Sequence, residues 1–191
     1  AAFPSTSSGS VPEGTRPSSG ISRRENFPIL PVELDLCSSA DLEGICSVEE
    51  RSSVSPWPRE VIESDLSGDS PYLYLCARAG GRILGFGAVL RKGKASEVAN
   101  LAVLPEFRRR GVGSQLLAGL AEIAESLGSL RMNLYVRESN TGAAKLYRLF
   151  GFSVLGRHAG YYADGEDALL MESPLPLRLP ADEDGNFSPR G

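Results

Sequence analysis

The sequence predicts one α/β domain, more narrowly α+β, built on a mixed sheet with a single central strand–helix–strand unit. Three observations predict it. Apolar runs alternate with stretches of helical spacing in the order β-α-α-β-β-β-α-β-α-β-β. An apolar segment, Asn100-Leu-Ala-Val103, passes through a basic turn with glycines at 111 and 113 into the clearest helix of the chain, an amphipathic one. The length of 191 residues suits one domain with tails.

Val32-Glu-Leu-Asp-Leu36 alternates as a strand does, and Ser38 or Ser39 can cap a helix with Leu42, Ile45, Cys46 and Glu49 on one side. Pro56-Trp57-Pro58 interrupts the chain, and Pro58 suits the first position of a second helix reaching about Leu66. Tyr72–Arg78 and Arg82–Leu90 read as strands joined by a tight hairpin at Gly80-Gly81. Residues 95–104 form the next strand. The helix from Ser114 to Leu127 places Leu116, Leu117, Leu120, Ile123, Ala124 and Leu127 on one face, and Gly128 ends it. Residues 130–136 form a strand, and Asn140 caps a helix that runs to Phe150 and stops at Gly151. Residues 152–155 and 168–171 complete the sheet across a polar loop. No internal repeat is present.

The net charge of −4 argues against a nucleic-acid binder, so the basic cluster at 108–110 has a local task. Cys37, Cys46 and Cys76 show neither zinc-ligand spacing nor a disulfide framework, and read as small buried hydrophobes in a reducing compartment. No metal is expected, and no apolar run is long enough to span a membrane. Residues 1–28 are rich in Ser, Pro and Gly and read as a disordered tail. With Ala1 in place of an initiator Met, processing is expected. A remnant of an organelle-targeting segment is the second reading of this stretch, since Arg16, Arg23 and Arg24 suit it while Glu13 and Glu25 count against it. Otherwise the expected location is cytoplasmic. Residues 174–191, Pro-rich and then acidic, read as a second tail without a core pattern, leaving 29–173 as the domain.

The turn carries the chemistry. A helix start leaves backbone N–H groups without intrahelical acceptors, and its dipole favours negative charge. With Arg108, Arg109 and Arg110 beside it, this turn is a site for a pyrophosphate and predicts a nucleotide-like cofactor. It lacks the Lys-Ser/Thr pair of a P-loop, which argues against a nucleoside-triphosphate enzyme.

Several features then coincide. Arg108-x-x-Gly111-x-Gly113 follows a strand and opens a helix, Asn140 to Tyr147 sits one strand later, and Leu149-Phe-Gly-Phe152 closes that helix. This ordered set resembles the GNAT acyltransferase superfamily. Glu49, Pro56-Trp57, Asn100–Val103, Val136-Arg-Glu-Ser-Asn140, Leu146-Tyr147 and Tyr161-Tyr162 resemble its RimI-type branch, over roughly residues 32–172. The resemblance implies a mostly antiparallel sheet with splayed central parallel strands flanked by helices. It implies acetyl-CoA as donor and a protein N-terminus as acceptor, in that branch a ribosomal-protein alanine, with the enzyme a monomer or weak dimer. A lysine side chain or a small-molecule amine is the alternative acceptor, and a CoA-binding domain that has lost turnover is a third reading.

Carried over residue by residue, the resemblance implies that Arg108, Arg109, Arg110, Gly111, Val112, Gly113 and Ser114 hold the diphosphate. Leu101, Ala102 and Val103 then line the pantetheine arm, with a backbone N–H near Val103 for the oxyanion, and Asn140 contacts the cofactor. Tyr147 is the general acid. A tyrosine holds its proton at neutral pH, and a thiolate leaving group can accept it. The branch usually carries Glu where this chain has Tyr135, and a neutral tyrosine is a poor base. Glu97, three residues before Asn100, is the substitute base, acting directly or through water, and its plain reading is a solvated carboxylate at a strand start. Tyr135, Tyr161, Tyr162 and Glu49 are the acceptor-side contacts. Trp57 reads as a core anchor and His158 as structural or exposed.

Overall fold

A computed structural model describes residues 28–181, 187 and 188; of the tail expected over 1–28, all but residue 28 lies outside the described residues. The strands are β1 (Glu33–Leu36), β2 (Tyr72–Ala79), β3 (Arg82–Lys92), β4 (Ala95–Val103), β5 (Arg131–Arg137), β6 (Ser153–His158) and β7 (Ala168–Pro174). The helices are α1 (Leu42–Ser52), α2 (Arg59–Leu66), α3 (Val112–Ser126) and α4 (Thr141–Leu149), with 3-10 turns at Ser39–Asp41 and Pro105–Phe107. The seven strands form one sheet in the order β1-β2-β3-β4-β5-β7-β6. Its pairs are antiparallel except β4 with β5. The parallel pair is the one joined through α3, as a crossover connection requires.

Local chemistry explains the elements. Gly80 and Gly81 both have positive φ, 57° and 74°, the requirement of the tight hairpin between β2 and β3. Asn140 caps α4 by accepting the Ala143 N–H at 3.1 Å. The apolar stripe of α3 (Leu116, Leu117, Leu120, Ala121, Ala124) is buried with Leu75, Val89 and Val98 of the sheet. Gly119 lets that helix approach closely: a Cβ there would lie 2.7 Å from Leu75 Cδ2 and 3.0 Å from Leu34 Cδ1. Tyr147, Phe150 and Phe152 belong to the same core, whereas Leu42, Ile45, Val48 and Ile62 of α1 and α2 form a second core with Phe86 on the opposite face. Among the described residues no helix is long and apolar enough to cross a membrane.

Three expectations are corrected. Helix α3 begins at Val112, two positions earlier than Ser114, because Gly111 turns the chain in left-handed geometry. Cys37 and Cys76 form a disulfide, with Cα atoms 5.9 Å apart, while Cys46 is free and buried. Cys37 directly follows β1, whose Asp35 lies opposite Cys76, so antiparallel pairing joins residues 39 apart in sequence. The reducing compartment inferred from unpaired thiols loses that support. The segment from 174 is not coreless: Leu177 is buried and Leu175 packs on the main core, held by its N–H donating to the Leu130 carbonyl at 3.0 Å.

The feature that positions the site is a split in the sheet. β4 pairs with β5 over Ala95–Val98 and Arg131–Leu134. Beyond that, β4 keeps only β3 and β5 keeps only β7. The break coincides with a bulge: Val89 faces Val98 while Ala88 faces Asn100, leaving Ala99 as the extra residue. A bulge bends its strand and raises the local twist, which carries β4 away from β5.

Candidate active site

The turn between β4 and α3 has the backbone of an anion site. Arg109 and Gly111 take positive φ, 62° and 78°. The first helical hydrogen bond runs from Gln115 N–H to the Gly111 carbonyl, 3.1 Å, so Val112 and Gly113 present N–H groups without intrahelical acceptors. Gly113 borders open space, since an added Cβ would find only Leu146 Cδ2 at 3.4 Å and Val103 Cγ2 at 3.8 Å. The end of β4, the start of α3 and the inner face of α4 therefore meet at Gly113. The Arg110 Nε is buried without a hydrogen-bond partner among the described residues, the kind of orphaned donor that an anion satisfies. These donors fit a diphosphate.

The three arginines differ in placement. Arg108 braces the turn from outside: its Nε donates to the Val103 carbonyl at 3.0 Å and its Nη2 to the Ser52 carbonyl at 3.1 Å. Arg109 is exposed. Arg110 stands 6.0 Å from the Phe107 ring. Sequence reasoning missed Gln115, which donates to the Leu30 and Gly111 carbonyls and accepts the Val32 N–H, tying the chain before β1 to the back of the turn. Nothing in its local sequence marks it, because its partners Leu30 and Val32 lie more than 80 residues away. Ser114 is buried in the first turn of α3.

Along β4, the Leu104 N–H donates to the Leu84 carbonyl at 2.9 Å. Alternation along an extended strand then turns the Val103 and Leu101 N–H groups away from β3, toward the side that β5 has left. Leu101 and Val103 pack on the α3 side, whereas Ala102 is buried on the α1 side. Tyr147 follows Leu146 on α4 and is 6% exposed, with its ring 5.7 Å from Phe152. Its hydroxyl makes no hydrogen bond among the described residues. Burial raises its pKa above the ordinary tyrosine value, and the nearby Tyr162 phenol adds to the rise.

On the other face, Glu97 stands opposite Leu90 on β3 and Asn133 on β5, at the level of the last parallel pairs. Its Oε2 accepts from Lys92 Nζ at 2.7 Å, so it is ion-paired where the sequence suggested a solvated carboxylate. Tyr135, two residues past Asn133, stacks on Tyr161 with centroids 4.6 Å apart. His158 meets Tyr135 edge-on at 5.2 Å, and Tyr162 meets Tyr161 at 5.1 Å. These rings form a wall beside the split.

Glu49 has a different placement from an acceptor contact. It is 1% exposed; Oε1 accepts the Trp57 N–H and Oε2 the Asn100 amide, both at 3.1 Å. The carboxylate ties α1 and the loop before α2 to the strand beside the bulge. Trp57 packs against the second core, edge-on to Tyr72.

Comparison with known proteins gives a consistent picture. The sequence profile of the Acetyltransferase (GNAT) family matches residues 42–152. The chain is 32% identical to the [ribosomal protein bS18]-alanine N-acetyltransferase of Salmonella typhimurium, over 75% of this chain and 98% of that protein. It is 32% identical to the N-alpha-acetyltransferase RimI of Mycobacterium tuberculosis, over 74% of this chain and 91% of that protein. Among solved structures, the ribosomal-protein-S18-alanine N-acetyltransferase from Escherichia coli superimposes with a TM-score of 0.69 at 29% identity, covering 82% of this chain and all of that one.

Proposed function

This chain belongs to the GNAT acetyltransferase family, and from that premise we propose that it acetylates the N-terminal α-amine of a protein, a ribosomal protein being the first acceptor to test. The observation that carries the reading is the convergence of Val103, Gly113 and Leu146-Tyr147 beside the split between β4 and β5. Relatives named for N-terminal acetylation match over nearly their whole length.

Acetyl-CoA, when bound, supplies an activated thioester. The backbone from Arg109 to Ser114, with Arg110 and the α3 dipole, holds the diphosphate. Leu101 and Val103 line the pantetheine arm, Ala102 backs them from the α1 side, and Asn140 flanks the arm from the cap of α4. The Val103 N–H donates to the carbonyl oxygen as charge develops there. The Tyr147 hydroxyl gives its proton to the departing sulfur; its raised pKa keeps that proton in place at neutral pH. Glu97 removes the proton lost by the amine, directly or through water. The demand on it is modest, because an α-amine has a pKa of about 7.7–8.0 and is partly neutral already. Tyr135, Tyr161 and Tyr162 line the path of the acceptor.

The test is a mass-spectrometric screen of acceptors with acetyl-CoA, using peptides that start with Ala or Ser together with lysine-bearing and small-molecule amines. Acetylation at free α-amines supports the reading; acetylation confined to lysine side chains or small amines overturns it. Glu97→Gln should move the rising limb of the rate–pH profile to higher pH. An unmoved limb places the base elsewhere.

A further inference from the structure

Arg137 ends β5, and its side chain is 13% exposed. Its Nη1 donates to Asp164 Oδ2 at 2.8 Å and Glu166 Oε2 at 2.7 Å, and its guanidinium carbon lies 3.9 Å from the centre of the Tyr162 ring. A largely buried cation needs such partners, because desolvation without them costs several kcal/mol. All three partners lie in the loop between β6 and β7. That loop also carries Tyr161, which stacks on Tyr135.

The same loop is sewn to the start of α4. Glu166 Oε1 accepts the Ser139 N–H at 2.9 Å, and the Glu138 N–H donates to the Asp167 carbonyl at 3.1 Å. Arg157 bridges Glu138 and Asp167, at 2.7 and 2.9 Å. The Arg137 carbonyl accepts the Asn140 N–H at 2.9 Å. One residue therefore joins the aromatic wall on the acceptor side to the cap of the helix that carries Tyr147.

We propose that Arg137 is a positioning residue for the acceptor: it clamps the β6–β7 loop so that Tyr161 and Tyr162 hold the incoming peptide against Tyr135. This rests on the reading of the protein as a peptide N-acetyltransferase. Arg137 touches no reacting atom, and it lies across the split from the diphosphate turn. Its loss therefore weakens the acceptor and leaves the cofactor site in place. A guanidinium suits this place because one nitrogen, Nη1, reaches both carboxylates while the delocalised group lies against the Tyr162 ring. Lysine supplies the charge without the flat group that covers the ring.

The test compares wild type, Arg137→Met, Arg137→Lys and the loop-side double variant Asp164→Asn/Glu166→Gln. The double variant breaks the clamp from its exposed side and leaves the core unchanged. Calorimetry reads the affinity for CoA and for a conjugate of CoA with an N-terminal peptide; steady-state kinetics read KM and kcat. In wild type the conjugate should bind at least tenfold tighter than CoA. In Arg137→Met and in the double variant most of that tenfold gain, about 1.4 kcal/mol, should vanish, and acceptor KM should rise about tenfold with CoA affinity within twofold. Arg137→Lys should fall between. Equal conjugate gain in wild type and in the folded variants overturns the proposal, as does a loss of CoA affinity parallel to the loss of acceptor affinity. No conjugate gain in wild type overturns the peptide-acceptor reading itself, and the role of Arg137 falls with it.

Discussion

At the residue scale, the acid role proposed for Tyr147 rests on where its two ends lie. Its ring is buried against Phe152, while its hydroxyl makes no hydrogen bond among the described residues and is not among their fully buried unpaired atoms. Burial raises the pKa, so the proton stays on the phenol through neutral and moderately alkaline pH. Tyr147→Phe should lower kcat about 100-fold, within the range for loss of a general acid, with CoA affinity nearly unchanged. An unchanged kcat removes its role as acid. The helix that carries Tyr147 was legible in the sequence because its cap and the following Gly-Phe pair are local signals, whereas its role as acid came from the family resemblance alone. Glu49 was only half legible. Helical spacing put it on the inner side of α1, but its partners Trp57 and Asn100 come from a neighbouring loop and from β4. Arg137 stood in the matched Val136–Asn140 segment without a role for the same reason, because the carboxylates that it meets lie 27 and 29 residues later.

At the element scale, period and punctuation gave the order of strands and helices, with ends shifted by a few residues. The bulge at Ala99 was invisible, because no glycine or proline marks it and the extra residue exists only relative to β3. It nevertheless decides the site, since it opens the space between β4 and β5. The seating of α3 depends on Gly119, where a side chain would press on Leu75 and Leu34. Gly119→Val should destabilise the fold by about 1–3 kcal/mol through overpacking, read as a lower denaturant midpoint. An unchanged midpoint would show that the helix can shift without cost. In the β6–β7 loop, the Ser139 hydrogen bonds and the Arg137 ion pair hold Glu166 at a pKa of about 2. Its folded value lies below the ordinary 4.5, so its contribution is full above that pH and is lost as pH falls toward 2. Amide protection in residues 159–167, taken relative to the intrinsic exchange rate at each pH, should therefore persist at pH 5 and fall only in stronger acid; loss of protection already at pH 5 contradicts the clamp.

At the scale of the whole molecule, two cores lie on opposite faces of one sheet, and the split between β4 and β5 is where its two central strands part. What closes the molecule at its edges was misread in the sequence, which showed no disulfide framework and no core pattern from residue 174. The Cys37–Cys76 link joins β1 to β2 across 39 residues, and the Leu175–Leu177 segment adds apolar side chains beyond the last strand. In chain-entropy terms a loop of that size stabilises by roughly 3–4 kcal/mol. Reductant should therefore lower Tm in the wild type and leave the lower Tm of Cys37→Ser unchanged; equal values with and without reductant contradict the link. The turn from Arg108 to Ser114 remains the feature on which cofactor, acid and acceptor path all depend. Calorimetric titration of CoA into the folded protein addresses it most directly. Saturable heat with one site per chain is the expected result, and no heat from demonstrably folded protein contradicts it.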